Sequence, residues 1–372
     1  MRISQRLSRI KPPATLAINP KAQGLRAAGR TVVSLAVGEP DFGTPEHIGR
    51  AACTAIEEGF TRYTPVPGIP ELRQAVAEYF NSFYDAGADK EAVIVSNGGK
   101  QCLFNLLQAL IDPGDEVLVP TPYWVSYPAL VMLAGGEPVF VPAPVEKDFL
   151  IEPADLDKAL TPRTKVLILN TPSNPTGCHY TSGQLDALAA WAVDKGVFVI
   201  ADEIYDRLVY PPSQPASLSA WWKKHPERFA VVNGLSKTFA MTGWRVGYVL
   251  AHPDLIKVLS KIQGQSTSNI CSIAQKAALA ALTGPFEPVE EMRRAFARRR
   301  DLALEKIREW PGVVCPKPDG AFYLFPKLSS HYRKDMPDST AFCTKVLEEL
   351  SIALVPGAAF GDDECVRFSY AL

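Results

Sequence analysis

Residues 165–202 read KVLILNTPSNPTGCHYTSGQLDALAAWAVDKGVFVIAD. The stretch opens on an apolar run, KVLILN, and passes a turn punctuated by Pro and Gly. A helical pattern near 181–195 follows, and a second apolar run, VFVIA, closes it. Runs without polar alternation are buried on both faces, as parallel strands joined through helices are. The alternation extends in both directions. Upstream, Ala92 to Ser96 (AVIVS) leads into a helix through QCLFNLLQALI. The turn DPGD then precedes EVLVP, a helix near 123–134, a strand near Pro138 to Val141 and a helix near 153–160. Downstream comes FAVVN. The pattern predicts an α/β fold, a mostly parallel sheet flanked by helices. Ligands of such sheets lie at the carboxyl ends of the strands.

Beyond residue 284 the pattern changes. Val289, Met292, Phe296, Ala303, Ile307 and Trp310 fall at helical spacing and predict one long helix from Pro288 to Trp310. The triplet Arg298–Arg300 is expected to include a solvated face. GAFYLF (320–325) and CVRFSY (365–370) predict short strands. The expected organisation is an N-terminal arm and part of a small α+β domain over 1–45, a large domain over 46–284 and the small domain over 285–372.

The chain has 372 residues, enough for two or three domains at about 150 residues each. Apolar residues make up 47% and charged residues 21%, which excludes an intrinsically disordered chain. A net charge of −1 argues against a general nucleic-acid binder. No apolar run approaches the roughly 18 residues of a membrane span. The start, MRISQRLSRIKPP, is basic without an apolar core and reads as an exposed arm rather than a secretory signal. The 7 cysteines include no CxxC pair, and the 5 histidines no HExxH. Reduced thiols, a cytoplasmic location and no metal site are expected.

Several residues follow strands directly. Asp202 closes VFVIA; alone it reads as a cap for a nearby loop, although a carboxylate at a buried strand mouth needs a partner. Tyr205, three residues on, can reach the same layer or simply pack. Lys237 follows FAVVNGLS. A lysine is ordinarily solvated, but a partly desolvated one has the lowered pKa that Schiff-base chemistry needs, since only a neutral amine attacks a carbonyl. Arg245, in MTGWRVGY, could clamp a phosphate. Ser96-Asn97-Gly98-Gly99-Lys100-Gln101 joins a strand to a helix and could bring backbone N–H groups to a phosphate, or be a plain turn. Asn174, in TPSNPTG, lies in the same strand-mouth layer.

Taken together, GGKQ, PYWVSYP, NPTG, DEIY, SKTFAMTGWR and RFSYA resemble the fold type I aminotransferases that use pyridoxal 5'-phosphate. The likeness runs from SRIKPPAT to the last residue. It is strongest to the bacterial aspartate aminotransferase subgroup, which also contains glutamate/aspartate–prephenate aminotransferases. The resemblance implies a seven-stranded sheet and a homodimer with its sites at the subunit interface. It implies that Lys237 carries the cofactor, Asp202 faces the pyridine nitrogen and Tyr205 the 3′-oxygen. Gly99, Lys100 and Gln101, with Ser236 and Arg245, would hold the phosphate, joined by Tyr63 of the partner chain. Trp124 would stack on the ring and Asn174 would steady the 3′-oxygen side. Arg367 would bind the substrate α-carboxylate, with backbone contact from Gly38. Relatives continue past SYAL into a closing helix, so either the tail is missing or the small domain is trimmed.

The implied activity is transamination of aspartate or glutamate with 2-oxoglutarate or oxaloacetate, and also of prephenate. Arg367 being occupied with one carboxylate, Lys100 is the cation left for a second. In prephenate-active relatives a threonine and a lysine stand where this chain has Thr15 and Lys100. Alternatives on this fold are an aromatic or alanine aminotransferase, a C–S lyase and a decarboxylase. A pyridoxal-binding transcription regulator would need a DNA-binding domain, for which no room is expected before residue 12. A purely structural role gives no reason for Lys237 and Arg367 to occur together.

Overall fold

A computed structural model of the chain describes residues 5–10, 21, 23–27 and 29–372. Its centre is a sheet of seven strands: β1 (Val93–Ser96), β2 (Glu116–Thr121), β3 (Glu137–Pro142), β4 (Thr164–Asn170), β5 (Phe198–Asp202), β6 (Phe229–Gly234) and β7 (Gly247–Leu250). Their order across the sheet is β1-β7-β6-β5-β4-β2-β3. Strand β7 runs antiparallel to both neighbours, and every other pairing is parallel. Side chains alternate between two buried faces, as a pleated strand requires. Val93, Val95, Leu167, Leu169, Val199 and Val231 pack on one face. Ile94, Val117, Val119, Ile168, Ile200 and Val232 pack on the other. Double burial explains why the strands read as uninterrupted apolar runs.

The seventh strand is short, GYVL, and directly follows the MTGWR loop. Six strands could be read from the apolar runs; this one was implied only by the family resemblance. The helix expected near 123–134 begins at Tyr127 and ends at Leu133. The preceding residues form a loop instead, where the Tyr123 N–H donates to the Phe360 carbonyl.

Helix α1 (Gly99–Leu110) follows β1, and α2 (Glu287–Arg308) is the long helix expected from the spacing. Val289, Met292, Phe296, Leu304 and Ile307 form its buried stripe. Only Arg298 of the arginine triplet is solvated. Arg299 pairs with Asp41 at 2.8 and 2.9 Å, and Arg300, 3% exposed, donates to the Pro318 carbonyl. Trp310 lies past the helix end and is exposed.

A three-stranded antiparallel ladder joins Val355–Pro356, Val366–Ser369 and Tyr323–Leu324. Val33–Ser34 pairs in parallel with Ile352–Ala353. The segment after Ser34 then forms a strap between the two parts of the chain. Leu35 accepts from Ser369 N–H, and Asp41 donates from its N–H to Ala371. Thr44 bonds the loop after β6, donating to the Ala240 carbonyl and accepting from the Trp244 indole. Among the described residues no helix is long and apolar enough to cross a membrane.

Candidate active site

The carboxyl ends of β4, β5 and β6 bring the polar residues together. Asn170 and Asp202 stand opposite each other at the ends of β4 and β5. The Asn170 amide donates to the Asp202 carbonyl at 2.8 Å, and its oxygen accepts from Asn174 N–H at 2.9 Å. The Asp202 carboxylate accepts from the Tyr127 hydroxyl at 2.6 Å and from Ile204 N–H at 3.3 Å. Burial pushes its pKa up to about 6, with those two donors opposing the rise. Asp202 thus caps the following loop through Ile204 N–H, as its position alone suggested, and takes a second hydrogen bond from Tyr127.

Lys237 sits in a one-turn helix, Leu235–Thr238, directly after β6. Its amine donates to the Gly38 carbonyl at 2.6 Å. Burial lowers its pKa to about 8; Glu39 opposes the shift, and Arg367 and Arg245 add to it. A strand mouth roofed by the strap is what desolvates the amine.

One end of the site is a cationic cradle. Gly98 enters α1 at φ +82°, and a Cβ there would lie 2.6 Å from the Arg245 guanidinium. A side chain at Gly247 would collide with the Gly98–Gly99 backbone. Arg245 itself holds φ +56°, a strained value for a non-glycine residue, and donates to the Thr242 carbonyl at 3.0 Å. Ser236 is buried beside Lys237. A helix N-terminus, an arginine and a serine hydroxyl together suit a phosphate.

The other end is built on Arg367, 5% exposed. Its guanidinium donates to Asn174 at 2.9 Å and to the Ala36 carbonyl at 2.8 Å, and it lies over the rings of Tyr323 and Phe360 at 4.6 and 4.9 Å. Its buried Nε has no partner among the described residues. A buried cation with a free donor is set up for an anion that the protein itself does not supply.

Between these ends lies a cavity of about 720 Å³. Gly38, Gly99, Lys100, Trp124, Asn174, Asp202, Tyr205, Ser236, Lys237, Arg245 and Arg367 all line it. Lys100 is exposed, its ammonium 4.9 Å from the Trp124 ring centre. Burial, then Arg245, lowers its pKa. Two expected residues stand outside the cavity. The Gln101 side chain is engaged by Asn97 N–H and Thr267. Tyr63 is 92% exposed on the surface of its own chain. Thr15 lies outside the described residues. The sequence reading missed Tyr127, Tyr323, Glu39 and Thr242, all of which line the cavity. Tyr127 in PYWVSYP and Tyr323 in a strand-like apolar run carried no pattern that sets them apart from packed aromatics.

A mostly parallel seven-stranded sheet with a lysine past one strand and a carboxylate past its neighbour is the architecture of fold type I aminotransferases. The family model described as aminotransferase class I and II matches residues 30–372, and the chain belongs to that family. It is 46% identical to the aspartate aminotransferase of Geobacillus stearothermophilus, over 100% of this chain and 95% of the relative. It is also 46% identical to the aspartate/prephenate aminotransferase of Cereibacter sphaeroides, over 99% and 94%. The crystal structure of Thermus thermophilus aspartate aminotransferase with maleate superposes with a TM-score of 0.94 at 44% identity, covering 100% of this chain and 96% of that one.

Proposed function

We propose that this chain is a pyridoxal 5'-phosphate-dependent transaminase of dicarboxylic amino acids, taking aspartate or glutamate as donor and 2-oxoglutarate or oxaloacetate as acceptor. The observation that carries the reading is the buried Arg367, its Nε unpartnered among the described residues, in one cavity with the partly desolvated Lys237. The residues fit the cofactor: the Gly98–Arg245 cradle suits its phosphate, Asp202 its ring nitrogen and Lys237 its aldehyde. Bound there, the cofactor supplies an electron sink for the electrons left at Cα and carries the amino group between two half-reactions.

Each residue then has a defined task. Lys237 anchors the cofactor through its amine and, once displaced by substrate, moves the Cα proton as a general base and acid. Asp202, anionic at neutral pH, holds a proton on the pyridine nitrogen. Tyr205 faces the 3′-oxygen and Asn174 steadies that side, while Trp124 covers the ring. Gly99, Lys100 and Gln101, through the start of α1, join Ser236 and Arg245 at the phosphate. Arg367 takes the α-carboxylate, with Gly38 closing over it, and the strap keeps water out. Lys100 receives the second carboxylate, leaving the Trp124 face to do so.

The exposed Tyr63 supports a homodimer in which this tyrosine completes the partner's phosphate site. We assign residues 46–284 to a large domain and 285–372, with 1–45, to a smaller one. All 7 cysteines are unpaired, which agrees with a reducing, cytoplasmic setting.

A second reading, prephenate as acceptor, rests on Lys100 together with the name of the Cereibacter relative. The test of both is a panel of acceptors against aspartate and glutamate: oxaloacetate, 2-oxoglutarate, prephenate and phenylpyruvate. Turnover with phenylpyruvate alone would replace the dicarboxylate reading by an aromatic one. Failure of any keto acid to regenerate the starting cofactor form would indicate a C–S lyase or decarboxylase.

A further inference from the structure

Tyr205 and Tyr323 reach the cavity from opposite parts of the fold. Tyr205 follows β5. Tyr323 pairs with Ser369 in the short ladder that also carries Arg367. Their hydroxyls are 2.9 Å apart and their rings meet edge-on at 82°. Both rings are buried. Neither hydroxyl has a second hydrogen-bond partner among the described residues.

Two hydroxyls carry two protons, and one shared bond uses only one of them. The other proton points out of the pair. If Tyr323 donates, the free proton belongs to Tyr205 and is available to the cavity. If Tyr205 donates, its proton is turned away and the free one sits on Tyr323. The surroundings choose between these. The Arg367 guanidinium lies over the Tyr323 ring at 4.6 Å, and a cation on the ring face stabilises the negative charge a donating phenol develops, making its O–H the better donor. Burial raises both phenols, and Arg367 opposes the rise at both; at Tyr323, whose ring it covers, it is the largest opposing influence. The strap seals the far side: a Cβ at Gly38 would come within 3.0 Å of the Tyr323 hydroxyl.

We infer that Tyr323 is a positioning residue that acts through Tyr205: it donates to the Tyr205 oxygen and so directs the Tyr205 proton at the group held by Lys237. This rests on the cofactor reading above. The relay makes Tyr205 a better donor to the cofactor's 3′-oxygen, because hydrogen bonds in a chain polarise one another. The charged groups facing these residues are Asp202 and Arg367 at Tyr205, and Glu39, Arg367 and Arg245 at Lys237, with Lys100 in the same cavity.

The test is a spectrophotometric pH titration of the lysine-linked chromophore in the cofactor-loaded enzyme, for wild type, Tyr205→Phe, Tyr323→Phe and the double variant. Removing a donor to the 3′-oxygen makes that oxygen hold a proton to higher pH, so the midpoint moves upward. Tyr323→Phe is expected to raise it by roughly half a pH unit, in the range of a weakened neutral hydrogen bond, and Tyr205→Phe by more. The double variant should titrate where Tyr205→Phe does, since the relay has no other route. Phenylalanine keeps the ring beneath Arg367, so KM for the amino acid should stay within about twofold. Additive shifts, or a Tyr323→Phe midpoint equal to wild type while Tyr205→Phe moves, overturn the inference alone. Absence of any lysine-linked chromophore in the wild type overturns the cofactor reading, and the inference with it.

Discussion

The Lys237 amine and the Gly38 carbonyl are joined by a 2.6 Å hydrogen bond between the loop after β6 and the strap that follows Ser34. The amine proposed to carry the cofactor and the backbone that roofs it are thus in direct contact.

Lys237 is expected to carry the cofactor. Borohydride reduction of the loaded enzyme should fix it onto the peptide containing Lys237, and Lys237→Ala should lose several orders of magnitude in turnover, since anchor and base vanish together. In the cofactor-free protein an acylating reagent should label Lys237 increasingly as pH rises through about 8, where the buried amine loses its proton. Labelling of a different lysine would remove the assignment.

Asp202→Ala should still bind cofactor yet turn over poorly, because nothing then holds the proton on the ring nitrogen. In the cofactor-free protein Asp202 takes up a proton as pH falls through about 6; a pyridinium held beside it lowers that value, so wild-type kcat should stay high to below pH 6. Recovery of normal turnover by saturating cofactor would reduce Asp202 to a structural cap.

Lys100→Ser should separate substrates by charge. Loss of a charge-assisted contact costs about 1.5–3 kcal/mol, or roughly 10- to 150-fold in kcat/KM for aspartate and glutamate. Alanine, with a single carboxylate, should be far less affected. An equal loss for alanine and aspartate would show that Lys100 supports the phosphate loop instead.

Two inactive variants should complement each other if the sites are shared. Mixing Tyr63→Phe with Lys237→Ala places, in each mixed dimer, one Lys237 opposite one intact Tyr63. Activity should exceed the sum of the two parents once subunit exchange is verified by native mass spectrometry. No gain would show that each chain works alone.

Much of the sheet was legible in the sequence because burial on both faces leaves apolar runs such as KVLILN and VFVIA without polar interruptions. Strand β7 was not, because GYVL opens on a glycine and follows a loop instead of a helix. Asp202 and Lys237 were visible as polar residues after such runs, and Arg245 as an arginine eight residues past Lys237. Tyr127 and Tyr323 were not, since an aromatic in a helix or strand has the same pattern whether it packs or donates a hydrogen bond. The solvated face expected in the arginine triplet is supplied by Arg298, while the Pro318 carbonyl and the Tyr210 ring receive Arg300 indoors.

The strap also fixes an order of events during synthesis. Ala36, which accepts from Arg367, precedes it by 331 residues, and Leu35 and Asp41 likewise bond to Ser369 and Ala371. A growing chain can therefore assemble the central sheet, with Asp202 and Lys237 in place, while the roof still lacks its partners. The pocket acquires its lid and the Arg367 guanidinium only once the segment around Ser369 has been made. Until then the nascent protein holds Lys237 in an open trough.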